Sequence, residues 1–331
     1  MDKKLLKIGL LSLTGLFLFS CSDDNDTIPP KDTKLSPYIS KVYDFLPAVG
    51  QFTNSLPSFT ASDTKESMLA KVEKALIGPK NSMVSLGGYG GYIVFGFDHT
   101  VENKTGFMDF RIKGNAFKAA SNPNSDNTEG GSSEPGIVLV SYDENKNGIP
   151  DDTWYEIAGS AYNSSIKDYE ITYYKPNSNK EPISGNQEWE KDVEYIKWTD
   201  NQGNSGFKTK NMFHNQSYFP EWIKEDKITF RGTKLPNNAV NEGTESEPFW
   251  VSYAFEWGYA DNLPNNENQS AIDIDWAVDK NGNKVHLKGI DFVKVYTGVN
   301  QEAGWLGEIS TEITGAEDLH LLNNSIPTIQ N

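Results

Sequence analysis

Short apolar runs separated by polar turn residues dominate the chain from residue 84 onward. The runs are rich in aromatic and β-branched residues, and clusters of Gly, Asn, Asp and Pro separate them, which is typical of strands joined by turns. The predicted strands cover residues 92–97, 107–112, 137–142, 153–157, 169–174, 195–198, 227–230, 249–257, 272–278, 292–296 and 311–313. Because no helical pattern lies between them, the sequence predicts an antiparallel β-sandwich or barrel. No internal repeat of about 20 to 50 residues is visible, which argues against a propeller.

One short helix is predicted ahead of these strands. Asp63 is a suitable N-cap, and Glu66 three residues later completes a capping-box pattern. The apolar residues that follow at helical spacing are Met68, Leu69, Val72 and Leu76. Gly78 then ends the run, so the pattern predicts a single N-terminal helix in an otherwise all-β domain.

The first 21 residues have the pattern of an export signal. Three lysines precede an apolar stretch without charge over residues 8–19, which is too short to span a bilayer core, since spanning needs about 20 residues. Cys21, the only cysteine of the chain, follows at the cleavage position. The pattern resembles the lipobox of bacterial lipoproteins, so residues 1–20 are expected to be a signal peptide and Cys21 the lipidated N-terminus. The alternative is an ordinary secretory signal with an incidental cysteine.

Residues 21–37 are predicted to be a lipidated, disordered tether, because they are polar and rich in proline. Asp23, Asp24 and Asp26 form an acidic run that resembles the surface-export signal of Bacteroidetes lipoproteins. It implies a lipid-anchored protein of the outer membrane that is exposed at the cell surface; a solvated acidic tether is the alternative. Residues 38–331 are expected to form a single β-sandwich domain with long loops.

The excess of acidic side chains excludes some classes of binding partner. The chain carries 46 acidic and 30 basic side chains, a net charge of −16, which argues against nucleic acid and against electrostatic docking to an anionic membrane. Because no cysteine follows Cys21, the folded part has neither a disulfide nor a thiol ligand.

A series of spaced segments carries a resemblance to a known family. The segments cover residues 86–88, 93–98, 109–110, 114–117, 133–141, 154–159, 257–261, 277–279, 289–295 and 304–313. Together they resemble a family of Bacteroidetes cell-surface lipoproteins with a galactose-binding-like jelly-roll core, over most of residues 38–318. Similar proteins are encoded beside TonB-dependent outer-membrane transporters, some of which import cobalamin. The resemblance therefore implies a jelly roll and an accessory role in nutrient uptake.

One polar loop matches the first half of a calcium-binding loop. Oxygen-bearing side chains occupy its first, third and fifth positions, and glycine occupies the sixth. The candidate calcium ligands are Asp143, Asn145, Asn147, Ile149 through its carbonyl oxygen, Asp151 and Asp152. Trp154 stands where an EF-hand has its bidentate glutamate, so a polar hairpin loop without metal is the alternative. A second loop, Asp279–Asn283, is explained by its Asn-Gly turn.

Several aromatic residues in polar surroundings are candidates for stacking on a ligand. They are Tyr89, Trp189, Trp198, Tyr218, Trp222 and Trp305. A flat aromatic ring beside amides and carboxylates suits a sugar or a planar macrocycle. The alternative for each of them is packing in the core.

The sequence offers little sign of catalysis. It has no Gly-x-Ser-x-Gly elbow and no His-Glu-x-x-His, and acid pairs such as Glu308 and Glu312 are common in an acidic chain. We therefore predict a non-enzymatic surface protein that captures a nutrient, with cobalamin as the first ligand and a TonB-dependent transporter as its partner. A carbohydrate-binding surface protein and an adhesin are the alternatives, and a glycan hydrolase is the least favoured.

Overall fold

A computed structural model describes residues 34–80, 82–119 and 130–329. The predicted signal peptide, Cys21 and the tether up to residue 33 lie outside these ranges. The end of the predicted tether contacts the folded part, since the backbone N–H of Ser36 donates to the Asp98 carboxylate. None of the helices in the described ranges is both long and apolar enough to cross a membrane.

The described ranges contain one α-helix and nineteen strands. The helix α1 is Lys65–Leu76. The strands are β1 Lys41–Leu46, β2 Val84–Ser85, β3 Tyr92–Glu102, β4 Phe110–Lys113, β5 Phe117–Lys118, β6 Gly130–Ser132, β7 Gly136–Ser141, β8 Trp154–Ile157, β9 Ile166–Tyr174, β10 Glu190–Asp200, β11 Ser205–Asn211, β12 Lys227–Lys234, β13 Ala239–Asn241, β14 Trp250–Tyr253, β15 Ala271–Ile272, β16 Ala277–Val278, β17 Gly289–Thr297, β18 Glu312–Ile313 and β19 Gly315–Asp318. This confirms the predicted all-β character with one N-terminal helix.

The strands form five antiparallel sheets. The largest has six strands in the order β1-β3-β17-β7-β8-β16. Two sheets have four strands each, in the orders β11-β10-β9-β12 and β13-β14-β6-β5, and the smallest are β15-β4-β19 and β18-β2. Every strand pairing among them is antiparallel, as the sequence predicts.

The predicted jelly-roll sandwich and the prediction against a propeller are both wrong, because the sheets have a propeller-like arrangement. A jelly roll needs two face-to-face sheets that exchange strands distant in sequence. Here β9, β10, β11 and β12, which follow one another along the chain, form a sheet of their own. Alternation of apolar and polar residues shows which face of a strand is buried, but it does not show which strand pairs with it.

The N-cap of helix α1 is Thr64, one residue later than the predicted Asp63. The side chain of Thr64 is the N-cap and accepts from the Ser67 backbone N–H, while the Ser67 hydroxyl accepts from the Thr64 N–H. Asp63 lies just outside the helix and pairs with Lys71. Thr64 takes the cap because it forms the reciprocal pair with Ser67, which satisfies two backbone donors.

Two hydrophobic clusters form the core. One joins the six-stranded sheet to the buried face of α1 and includes Phe95, Val293 and Met68. The other joins the same sheet to the four-stranded sheet of β9–β12 and is rich in tyrosine, including Tyr169 and Tyr173. Glycines allow the chain over residues 87–91 to pass through this region. A side chain at Gly90, for example, would overlap the ring of Phe230.

Candidate functional site

A cavity of about 440 Å³ brings together residues from seven separate parts of the chain. Three carboxyl groups line it, those of Glu134, Glu308 and Glu312. Small polar side chains complete the walls: Asn115, Ser132, Ser252 and Ser310. We call it the acidic cavity, because no lysine or arginine of the described residues lines it.

Large apolar side chains lie at the mouth of the acidic cavity. Trp305 is 45% exposed and Phe213 is 58% exposed, and both line it together with Leu306. Phe52 stands edge-on to the ring of His214, with 4.8 Å between the ring centroids. The cavity therefore combines a carboxyl-lined interior with an aromatic entrance.

Three acidic side chains meet inside this cavity wall. Oxygen atoms of Glu134, Asp261 and Glu312 all lie within 4.8 Å of one another, and burial together with the neighbouring Glu312 raises the pKa of Glu134. Ionised carboxylates at such short distances repel each other, which favours a protonated form. The cluster therefore holds at least one carboxylic acid near neutral pH.

Backbone donors fix the orientation of the cluster. Asp261 accepts from the N–H groups of Asn115 at 2.7 Å and Ala116 at 2.8 Å through one oxygen. Its other oxygen accepts from the N–H of Glu312 at 2.9 Å. The side chain of Glu134 accepts from the Ser310 N–H at 3.1 Å. These bonds draw the chain before β7, the chain before β18 and the segment around Asp261 to one point.

Burial raises the pKa of every carboxyl group in and behind the cavity. Desolvation is the largest cause for Asp261, whose pKa rises to about 8, and Glu312 adds a like charge. Desolvation and the same neighbour raise the pKa of Glu134 well above its usual range, and burial also raises the pKa of Glu312. These groups can therefore donate as well as accept hydrogen bonds at neutral pH.

Glu308 occupies a separate position in the cavity wall. It is only 6% exposed, and one oxygen accepts from the backbone N–H of Gln51 at 2.8 Å. Burial is the largest cause that raises its pKa to about 8. Gly50 and Gly307 make this packing possible, because a side chain at Gly50 would overlap Glu308 and one at Gly307 would overlap Gln51.

The predicted aromatic residues lie in different environments. Trp305 lies at the mouth of the acidic cavity, where a ligand can reach it. Tyr89, Tyr218 and Trp222 are buried in the core, so their assignment to ligand stacking is corrected. Each fills the core for a physical reason: Trp222, for example, stacks on Phe45 with 6.4 Å between ring centroids.

Trp189 and Trp198 are half-buried and do not line the acidic cavity. Trp198 packs against the tyrosine-rich core cluster, and Gly206 lies against its indole ring. The structure therefore brings only Trp305 of the six predicted aromatic residues to this site. The other five do not line it: Tyr89, Tyr218 and Trp222 are buried in the core, and Trp189 and Trp198 are half-buried elsewhere.

The predicted calcium loop joins β7 to β8 and is exposed. The Asp143 carboxylate accepts from the N–H groups of Asn147 at 3.1 Å and Gly148 at 2.8 Å. The side-chain oxygens of Asn145 and Asn147 accept from backbone N–H groups two residues further on. The loop thus turns its oxygen-bearing side chains inward, and the amides of Asn145 and Asn147 both reach the Asp151 carboxylate.

Sequence reasoning did not single out Glu134 and Asp261. Both stand in segments that carry the family resemblance, as do Glu308 and Glu312, but acidic residues are too frequent in this chain for any one to be distinctive. The sequence around them offered only local features: Glu134 precedes Pro135, and Asp261 follows the segment Gly258-Tyr259-Ala260. Only the fold places them together.

Comparison with models of known protein families finds no match for the chain, and comparison with curated proteins finds none.

Proposed function

We propose that this protein is a surface-tethered, non-enzymatic binding protein that captures a nutrient in the acidic cavity. The observation that carries the proposal is the combination of buried carboxyl groups inside the cavity with exposed aromatic and aliphatic side chains at its mouth. Ligand sites are typically concave and mainly apolar, with a few polar groups that orient the ligand.

The chemistry of the cavity favours an uncharged ligand with many hydrogen-bonding groups. Carboxyl groups with raised pKa values both donate and accept hydrogen bonds, so they suit hydroxyl and amide groups. An anionic group would meet Glu134, Glu308 and Glu312 without a lysine or arginine among the described residues that line the cavity. Burial lowers the pKa of His214, so its imidazole does not supply a positive charge at neutral pH.

Cobalamin is the first ligand that we propose, because the family resemblance points to it. Its peripheral amides suit the carboxyl groups of the cavity, and its flat corrin ring suits Trp305. A volume of about 440 Å³ lies toward the lower part of the range of about 300 to 1,000 Å³ for ligand sites. The cavity would therefore hold one edge of cobalamin, with the remainder outside.

A saccharide is the second candidate, and the size of the cavity favours it. A short oligosaccharide could enter the cavity and stack one ring on the exposed Trp305. Hydrolysis is disfavoured by geometry. The carboxyl oxygens of Glu134 and Glu312 lie within 4.8 Å of each other, whereas glycosidase pairs stand about 5 to 10 Å apart to admit the glycosidic bond.

The binding test is calorimetry with the purified protein, titrated separately with cyanocobalamin and with neutral oligosaccharides. We expect saturable binding of one of them, weakened about tenfold in Trp305→Ala and in Glu312→Gln, which is the loss expected when an aromatic contact or a hydrogen bond to a polar ligand is removed. Phe207→Ala is the matched control, because Phe207 is exposed on β11 but does not line the cavity. No binding of either ligand would contradict the proposal, as would equal loss in the control.

A TonB-dependent transporter is the proposed partner, and the lipid anchor at Cys21 would hold the protein beside it in the outer membrane. Calcium in the loop between β7 and β8 is proposed as a structural ion. Its support is the inward orientation of Asp143, Asn145 and Asn147, which presents the oxygen ligands that calcium prefers.

A further inference from the structure

A second cleft, of about 350 Å³, lies where the six-stranded sheet meets the edge of the sheet formed by β9–β12. Four basic side chains line it: Lys167, Arg231, Lys280 and Lys294. We call it the basic cleft. It shares no residue with the acidic cavity, which has no lysine or arginine among its described lining residues.

The floor of the basic cleft is set by strand register. Lys294 on β17 lies opposite Leu139 on β7, and Leu139 lies opposite Glu156 on β8. Residues opposite each other in antiparallel strands project from the same face, and neighbouring strands are about 4.8 Å apart. Lys294 and Glu156 are therefore about 10 Å apart on one surface, with the apolar Leu139 between them.

Each acidic residue of the cleft is already engaged by another group. Glu156 accepts from the Thr233 hydroxyl at 2.6 Å and lies 3.5 Å from the Lys167 ammonium. Asp168 pairs with Arg231 at 3.3 Å. The Asp279 carboxylate accepts from the backbone of its own hairpin. None of these carboxylates is placed to neutralise Lys294.

Lys294 is a half-buried cation of the cleft that has no ion pair among the described residues. Among the described residues, no carboxylate oxygen lies within the 4.0 Å of an ion pair from its ammonium group, which stands 4.2 Å from the centroid of the Tyr92 ring. Asp44 is the carboxylate that acts on it from a distance, but Asp44 pairs with Lys65 and accepts from the Tyr92 hydroxyl. A half-buried ammonium group without an ion pair would be stabilised by an anion that accepts a hydrogen bond from it.

The chain builds this cleft by bringing two sheets close together. The backbone N–H of Thr233 donates to the Tyr296 hydroxyl at 2.7 Å. Gly232 makes this approach possible, because a Cβ atom there would lie 2.5 Å from the Tyr296 hydroxyl oxygen. Lys167 is held over the ring of Tyr162, 3.1 Å from its centroid. Lys167 is therefore held in place by the fold before a ligand arrives.

We propose that the basic cleft binds the carboxylate or phosphate group of a small organic anion, with Lys294 as its main cation. Lys167 and Arg231 on the opposite wall would attract the anion electrostatically, and the apolar surface of Leu139 would accept the carbon skeleton. This site is independent of the proposed nutrient site, because a ligand in the acidic cavity would not touch it.

The test is a titration of the purified protein with inorganic phosphate and, separately, with acetate, followed by two-dimensional NMR. We expect saturable shifts with at least one anion and affinity about tenfold weaker in Lys294→Gln, the loss expected for one charge-assisted hydrogen bond. Lys197→Gln is the matched control, since it removes the same charge from an exposed lysine on β10. Binding of phosphate alone would assign a phosphate ester, and binding of acetate alone a carboxylate.

Two outcomes would overturn the proposal: no saturable shift with either anion, or equal weakening in Lys294→Gln and Lys197→Gln, which would indicate only a general effect of charge. Arg231→Gln provides a second variant if Lys294→Gln fails to fold, because the Arg231 side chain is 62% exposed. It should weaken binding by a smaller factor. Neither result would affect the calorimetric test of the acidic cavity.

Discussion

The carboxyl oxygens of Glu134 and Glu312 lie within 4.8 Å of each other in the wall of the acidic cavity, although the two residues are 178 positions apart in the chain. Two ionised carboxylates this close would repel, so the contact favours a protonated carboxyl group. The folded protein therefore binds protons that its unfolded chain releases at neutral pH, and its stability depends on pH.

Stability should fall as the pH rises from about 5 to about 9. Burial raises the pKa of Asp261 and that of Glu308 to about 8, from ordinary values of 3.8 and 4.5. When folding raises the pKa of a carboxyl group, its contribution to stability is complete at a pH below the pKa that the group has in the unfolded chain. This contribution is lost as the pH rises through the pKa that the group has in the folded protein. Thermal denaturation over this range measures the effect.

The Glu308→Gln variant provides the control for this pH dependence. Glutamine keeps the shape of the side chain but cannot ionise, so the fall of the melting temperature between these pH values should become shallower. A melting temperature that stays constant or rises over the range in the unmodified protein would contradict the prediction.

Replacing Trp222 should lower the stability of the fold much more than replacing Trp305. Trp222→Ala should lower the free energy of unfolding by about 3 to 5 kcal/mol, because it removes a ring that is 8% exposed and packed on Phe45. Trp305→Ala should change it by less than about 0.5 kcal/mol, because the ring lies at the surface. Urea denaturation measures both. A large loss of stability in Trp305→Ala would show that this residue supports the fold.

Calcium should raise the melting temperature of the protein after metal has been stripped from it. An ion that binds only the folded state stabilises it by about 2.7 kcal/mol when its concentration is 100 times the dissociation constant. Asp143→Ala combined with Asp151→Ala should abolish this increase. Asp279→Ala is the matched control, because Asp279 also accepts backbone hydrogen bonds in an exposed turn. An unchanged melting temperature with calcium would leave the loop as a polar hairpin.

Cys21→Ala should release the protein from the membrane fraction, because the acyl chains are its proposed anchor. Cell fractionation and immunoblotting measure the release. Substitution of Asp23, Asp24 and Asp26 by alanine should leave the anchor intact but reduce digestion by protease added to whole cells. A Cys21→Ala protein that remains in the membrane without its leader would rule out lipidation as the anchor.

The sequence determined the local elements of this protein. Apolar runs placed most of the long strands, and Met68, Val72 and Leu76 at helical spacing placed the buried face of α1. These elements can be predicted because alternation and helical periodicity are patterns that span only a few neighbouring residues of the chain. The N-cap is Thr64 and not the predicted Asp63, because Thr64 forms the reciprocal pair of backbone hydrogen bonds with Ser67.

Tertiary structure alone decided the sheets and the sites. A strand pattern does not specify its partner, so the five sheets with their propeller-like arrangement were not visible in the sequence. The same limit applies to side chains. Tyr89 and Trp305 looked equivalent as aromatics near glycines, but tertiary packing buried the first against Tyr169 and left the second exposed in a short turn. Glu134, Asp261 and Glu312 became a cluster only because long-range backbone hydrogen bonds bring three distant segments together, and burial there changes their protonation.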